Sequence, residues 1–390
     1  MRLEPHHRVF TCFFLIAVSM GGLLSRLPDI QERLDIDKSE LGLTMIGAAV
    51  GALISLALSS PVVRKLSSRS TAFISVLGTA LVVATVPWMD RAAFVFLLLF
   101  CQGLLAGALE ISLNVEINRI EAEIGRGVMS RAHGFWSLGF FLTALAASFV
   151  RQAGISIELH MAAICGFVVL VGSTVISGMR NMPAPYSPET AASSSSIALP
   201  TIGLLPLCVI GVGAFLVEGA GIDWSAIYMR DVFDVEPFVG GLGLTLFSFC
   251  MAFARLFADG FVDRYGARAV GRALLSLAVI GLCCVCLAPV SGVALAGFAL
   301  MGTGCSAVYP LALSAAAQRG DRNPHANVAA VAQMSFVVFF LAPPLLGFVA
   351  EHAGIRTSYL VCLPIILLST ASTTSLPEGA RNFGNKTPGA

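Results

Sequence analysis

The chain has 390 residues, of which 56% are hydrophobic and 12% charged, and its formal net charge is +1. Soluble domains carry roughly 25% charged residues, so this chain has too few to cover a water-facing surface, and lipid must act as its outer solvent. The near-zero net charge excludes a global bias toward nucleic acid or acidic partners. What remains is an all-α polytopic membrane protein.

A bilayer-spanning helix needs about 20 mostly apolar residues. In chain order the qualifying stretches are 9–27, 42–62, 71–88, 92–115, 132–150 and 160–179, then 201–228, 237–258, 273–289, 292–314, 327–350 and 356–375. The first has no A-x-A site after it and reads as a span, not a cleaved signal peptide. Lys and Arg in the loops orient the chain: with the N-terminus inside, sixteen fall in inside segments and seven outside. Both termini are therefore expected in the cytoplasm. The ten cysteines fall in apolar runs, and "CCVC" at 283–286, where Cys283 and Cys286 have C-x-x-C spacing, has no His or acidic neighbour. They read as small membrane-helix residues, with no disulfide framework and no metal site.

Residues 181–200, "NMPAPYSPETAASSSSIALP", have no helical period and read as a cytoplasmic linker. The expected organisation is a six-helix bundle over 1–180, the linker, a second six-helix bundle over 201–376, and a cytoplasmic tail over 377–390. The halves look like repeats. "DIDKSELGL" at 35–43 matches "DVEPFVGGL" at 234–242 with an offset of 199, and the same offset pairs Arg69 with Arg268 and Gly103 with Gly302. Two bundles related in this way, with a binding site between them near the bilayer midplane, form a transporter architecture.

The loop "DGFVDRYGAR" (259–268) resembles the G-x-x-x-D-R-x-G-x-R loop of the major facilitator superfamily, with Asp263, Arg264, Gly266 and Arg268 in register and Asp259 at the first Gly. The first-half copy, "SPVVRKLSSR" (60–69), is degenerate, with Arg64 at the acidic position and Ser67 at the inner Gly. "GLLAGALEISLNVEINRIE" (103–121), "MSRAHGFWSLG" (129–139), "EGAGIDWSAIY" (218–228), "LPDI" (27–30) and "GTGCSAVYP" (302–310) together resemble the MosC/YbjJ-type branch. Glu110 stands there where the branch has Asp. The resemblance spans residues 8–375 and implies twelve transmembrane helices in two six-helix bundles. It also implies secondary active transport across the inner membrane, with the substrate open.

Gly211, Ala214, Glu218, Gly221 and Ser225 recur at helical spacing as a small, polar face expected to look into the bundle interior. A charge at the bilayer centre costs about 2.5 kcal/mol or more. A carboxylate there that binds and releases a proton as its exposure alternates is what coupled transport requires; the bland reading is a neutral Glu bonded to a neighbouring helix. Asp223 lies about 140° further round, nearer the outer surface, and with Trp224 serves either an outer-gate or substrate-contact role or a plain interfacial one. In the fourth span Gly103, Gly107, Glu110 and Asn114 share a face, with Glu110 a second proton candidate, a partner of His133, or part of a packing clamp. Arg255, Asp259 and Asp263 step by four and suit an ion-pair latch, with Arg264 and Arg268 in the same gating loop. Gln102, Gln333, Trp136 and Tyr309 suit the lining of a cavity for a neutral polyol.

These observations predict a non-enzymatic, cofactor-free, monomeric transporter that moves a small sugar- or cyclitol-like solute by alternating access, with protons as the coupling ion. The competing readings are proton-driven efflux of lipophilic cations or metabolites, and a transport-inactive sensor or scaffold.

Overall fold

The computed structural model describes residues 4–125, 128–181 and 199–378. The expected linker and tail lie almost wholly outside these residues. The described chain is helical from end to end. The first bundle comprises α1 (Pro5–Leu24), the short α2 (Leu27–Leu34), α3 (Lys38–Lys65), α4 (Ser68–Thr85), α5 (Ala92–Ile124), α6 (Met129–Gln152) and α7 (Ile157–Ile176). The second comprises α8 (Leu205–Phe233), α9 (Pro237–Tyr265), α10 (Ala267–Leu287), α11 (Ser291–Cys305), α12 (Val308–Ala317), α13 (Pro324–Ala353) and α14 (Ile355–Ser372).

Eleven apolar stretches among the described residues are long enough to cross a membrane, with α11 and α12 forming one of them. The 28-residue α3 occupies the place of the expected span at 42–62. The fold is therefore the expected twelve-span, two-bundle arrangement. The first and last described helices, α1 and α14, begin and end respectively at one end of the molecule, here the terminus end. The tight connections near residues 35, 154, 234 and 354 lie at the other, the hairpin end.

The 199-residue repeat is visible in the backbone. Asp35 and Asp234 are the two non-glycine residues with positive φ among the described residues, at 51° and 48°. Each ends a helix in the left-handed conformation that Asp tolerates better than bulkier residues. The contacts repeat as well. A Cβ on Gly103 would collide with the Ala48 carbonyl oxygen, and one on Gly302 with the Phe247 carbonyl oxygen. Both residues of the first pair are 199 positions from those of the second. The backbones meet there because neither glycine carries a side chain.

The bundles join along two seams, α3 with α13 and α6 with α9. Gly42 of α3 abuts the Pro343 carbonyl, and Gly241, its repeat mate on α9, abuts Ser148 of α6. Among the described residues, the polar contacts between bundles cluster at the hairpin end. Lys38 pairs with Asp231 at 3.0 Å, and its amide donates to the Glu351 carboxylate at 3.1 Å. Arg230 donates to Glu32 at 2.9 Å and Gln31 at 2.8 Å. On the second seam the Phe238 amide donates to Gln152 Oε1 at 3.0 Å. Glu351 and Gln152 are again 199 apart. The second amide is displaced by one residue because the repeat mate of Lys38 is Pro237, which has no N–H.

Candidate functional site

A cavity of about 310 Å³ lies between the bundles. Its walls come from α1, α3 and α5 on one side and from α8 and α13 on the other, with Trp136 and Phe140 from α6. Most of the lining is Leu, Met, Ala, Val and Phe. The polar side chains in it are Thr44, Gln102, Trp136, Glu218 and Asp223.

Both acids of the quoted "EGAGID" stretch thus reach one cavity. The helix does not unwind at the glycines; α8 runs unbroken through them. Residues 218 and 222 form one row on its surface, and 219 and 223 the adjacent row. All four line the cavity, so an angle of 140° is spanned by one concave wall, and Gly219 places no side chain between the acids. Trp224 is not interfacial. It is 1% exposed, packed against Gly347, and its indole N–H has no partner among the described residues.

The small face of α8 has a different use from the one expected. Gly221 receives the Phe247 ring, and Ser225 packs against Gly243. At these two positions the stripe is the contact surface for α9, because small residues let that helix approach, and at Gly211 it meets Ser335 of α13. Glu218 sits at its edge, where packing gives way to the cavity, and is 7% exposed.

Arg255 belongs to this site, not to a latch with Asp259 and Asp263. Its guanidinium lies 3.5 Å from the Glu218 carboxylate and donates through Nε to the Ser306 carbonyl at 2.8 Å. Pro310 explains that acceptor. Four residues after Ser306, it lacks the N–H that would complete the helix bond. The tenth span breaks into α11 and α12 at Ser306–Ala307, and Arg255 takes the free carbonyl. The signal was present in "GTGCSAVYP", which places a proline at the right distance.

The remaining candidates divide. Gln102 and Trp136 line the cavity. Tyr309 packs against Phe215 with tilted rings and centroids 4.4 Å apart, and Phe215 in turn contacts Phe336 and Phe339 of the cavity wall. Gln333 is exposed and outside the lining. Glu110 accepts a hydrogen bond from the Asn114 amide at 2.9 Å, so these two residues are joined as their shared face predicted, but neither lines the cavity. His133 is not the partner of Glu110. It is exposed, with its ring 5.0 Å from that of Phe13.

A family model for the Major Facilitator Superfamily matches residues 207–388. The chain is 29% identical over 373 residues to the uncharacterized transporter y4wD of Sinorhizobium fredii, covering 92% of this chain and 94% of that one. It is 24% identical over 370 residues to the membrane protein MosC of Rhizobium meliloti, covering 92% and 87%. A crystal structure of a mutant of the nucleoside transporter NupG superposes with a TM-score of 0.76 at 14% identity, covering 96% of this chain and all of that one. The chain is thus similar to the major facilitator superfamily, by the family model over its second half and by these relatives along most of its length.

These similarities support secondary transport of a small solute. The superfamily loop has a defined place here. Arg268 donates to the backbone carbonyls of Leu376 and Thr374 and pairs with Glu378. The Arg264 guanidinium lies over the Tyr265 ring at 5.3 Å. The loop therefore ties the terminus end of α9 and α10 to the segment after α14. Sequence reasoning missed the cross-bundle contacts of Lys38, Arg230, Asp231, Glu351 and Gln152. The repeat of "DIDKSELGL" in "DVEPFVGGL" includes Lys38 but none of the other four, and it did not reveal pairing across the seams.

Proposed function

We propose that this protein is a proton-coupled secondary transporter whose solute occupies the cavity between the bundles. Glu218 is its principal proton-binding group. The observation that carries this reading is the position of Glu218: a carboxylate buried at the cavity wall, one face toward the solute space and the other toward Arg255. The charged neighbours of Glu218 are Arg255 on α9 and Asp223 on its own helix.

Taking a proton neutralises Glu218 and weakens its hold on Arg255, which also holds the broken tenth span through Ser306. Proton binding is thereby tied to the packing of α8, α9 and α11 around the cavity. The polar contacts at the hairpin end hold that end shut and must exchange when the molecule alternates. By the Lys and Arg distribution of the loops, the terminus end faces the cytoplasm and the hairpin end the exterior of the inner membrane.

The lining bears on the solute. A ring polyol carries several hydroxyls that need partners once desolvated, and Thr44, Gln102 and Trp136 are the neutral polar side chains available. The walls favour a solute that is mostly apolar, which places the sugar- or cyclitol-like reading second. Glu110 is the secondary proton candidate, since it stands outside the cavity.

The test uses purified protein in liposomes with an imposed pH gradient, measuring accumulation of N-methyl-phenylpyridinium and of myo-inositol. Gradient-driven accumulation of one solute, lost in Glu218→Gln with the protein still folded, supports the reading. Undiminished coupling in both Glu218→Gln and Glu110→Gln refutes it.

A further inference from the structure

The two acids of the cavity differ in what they face. The Glu218 carboxylate has the Arg255 guanidinium at 3.5 Å. Asp223 lies in the adjacent row of α8, about 7.5 Å further along the helix axis. It has no ion-pair partner among the described residues, and no Lys, Arg or His lines the cavity. From the other bundle, Gln102 is 4% exposed and lines the same space. Its amide has no hydrogen bond among the described residues.

Each of these groups lacks something that a ligand supplies. A carboxylate among apolar walls is stable only when neutralised or paired. A buried amide without a partner forfeits the hydrogen bonds that buried polar groups normally make. The two stand on different bundles, so a ligand that meets both bridges the parts that must move relative to each other. The remaining walls, from Met20, Leu24, Met45, Phe336 and Phe339, offer contact area and no hydrogen bonds.

We infer that the solute is an amphipathic organic monocation, with its charged head on Asp223, a polar contact to Gln102 and an apolar body against the Leu, Met and Phe walls. Arg255 keeps Glu218 neutralised and out of solute recognition. The carboxylates thus divide the work: Glu218 for the proton, Asp223 for the solute. This rests on reading the cavity as the solute site.

The test is direct binding to the full chain in nanodiscs at pH 8, titrating N-methyl-phenylpyridinium, its neutral analogue phenylpyridine, and myo-inositol. The wild type is expected to bind the cation saturably and in preference to the other two. Asp223→Asn should weaken that binding by about tenfold or more, with partial recovery in Asp223→Glu. Arg255→Gln should strengthen it by about threefold, because it unmasks a second carboxylate near the site. A substitution that merely loosened the fold would not produce that gain.

Preference for phenylpyridine or myo-inositol, no saturable cation binding, or unchanged affinity in Asp223→Asn would each overturn the inference. Cation binding with these signatures but no proton movement in liposomes would instead overturn proton coupling and leave the solute assignment standing.

Discussion

Glu351→Ala removes one of the two repeat-related caps at the hairpin end, and the size of its effect follows from the geometry. The Glu351 carboxylate accepts from the Lys38 amide at 3.1 Å, at the first turn of α3. A charged acceptor at a helix N-terminus contributes about 1 kcal/mol. Its ion pair with the Lys38 ammonium is 4.0 Å long and the Glu351 side chain is 35% exposed, so solvent screening leaves that pair worth about 0.3 kcal/mol. Together they amount to roughly 1.3 kcal/mol, or about tenfold in the equilibrium for opening this seam. Hydrogen exchange of the backbone amides over residues 38–44, with the protein in nanodiscs, reads that equilibrium locally. The expected result is a rise of about tenfold at this seam and little change over 238–244. Glu351→Gln keeps an acceptor and loses only the charge, so it should fall between wild type and Ala and no longer respond to salt. A change below about twofold in Glu351→Ala would refute the reasoning. So would an equal rise along all of α3, which would report unfolding instead of seam opening.

Other consequences can be measured on the same material. Gly302→Leu forces a side chain into the Phe247 carbonyl and should destabilise the second bundle by about 1–3 kcal/mol. Gly103→Leu should do the same in the first, both read as lowered thermal unfolding temperatures. Arg26 is 4% exposed and bonds Asp29 at 3.0 Å, the Ile155 carbonyl at 2.8 Å and His160 at 3.1 Å. Arg26→Ala breaks a buried charge network and should lower stability by about 3 kcal/mol, seen in the same unfolding assay. Ala substituted for Pro310 supplies an N–H to the Ser306 carbonyl and competes with Arg255 for it. The hold on Glu218 then loosens, and the pH profile of transport should shift while expression is retained.

The fold was legible because its causes are distributed along the chain. Twelve apolar stretches, a charge bias between loops and a fixed offset of 199 each leave many residues as witnesses, and the left-handed Asp35 and Asp234 bear out the offset in backbone angles. The site was only partly legible. Glu218 and Asp223 stood out because carboxylates are rare in apolar runs, but periodicity alone placed them on different faces. It could not show that a concave wall two rows wide receives both. The polar stripe around Glu218 was read as interior because small residues suit a cavity edge. They suit close helix contact equally well, and Phe247 occupies that space. Arg255 was assigned to its sequence neighbours at four-residue spacing, whereas its partners, Glu218 and Ser306, are 37 and 51 residues away. Contacts across seams between bundles have no period along the chain, which is why Lys38, Glu351 and Arg230 carried no signal of their own.

The most direct test of the central claim is proton movement on solute addition. Protein in liposomes loaded with an internal pH dye is challenged with N-methyl-phenylpyridinium and with myo-inositol, without an imposed gradient. The account predicts a solute-dependent change of internal pH with wild-type protein and none with Glu218→Gln. Solute movement without any pH change, or the same pH change in Glu218→Gln, would contradict it.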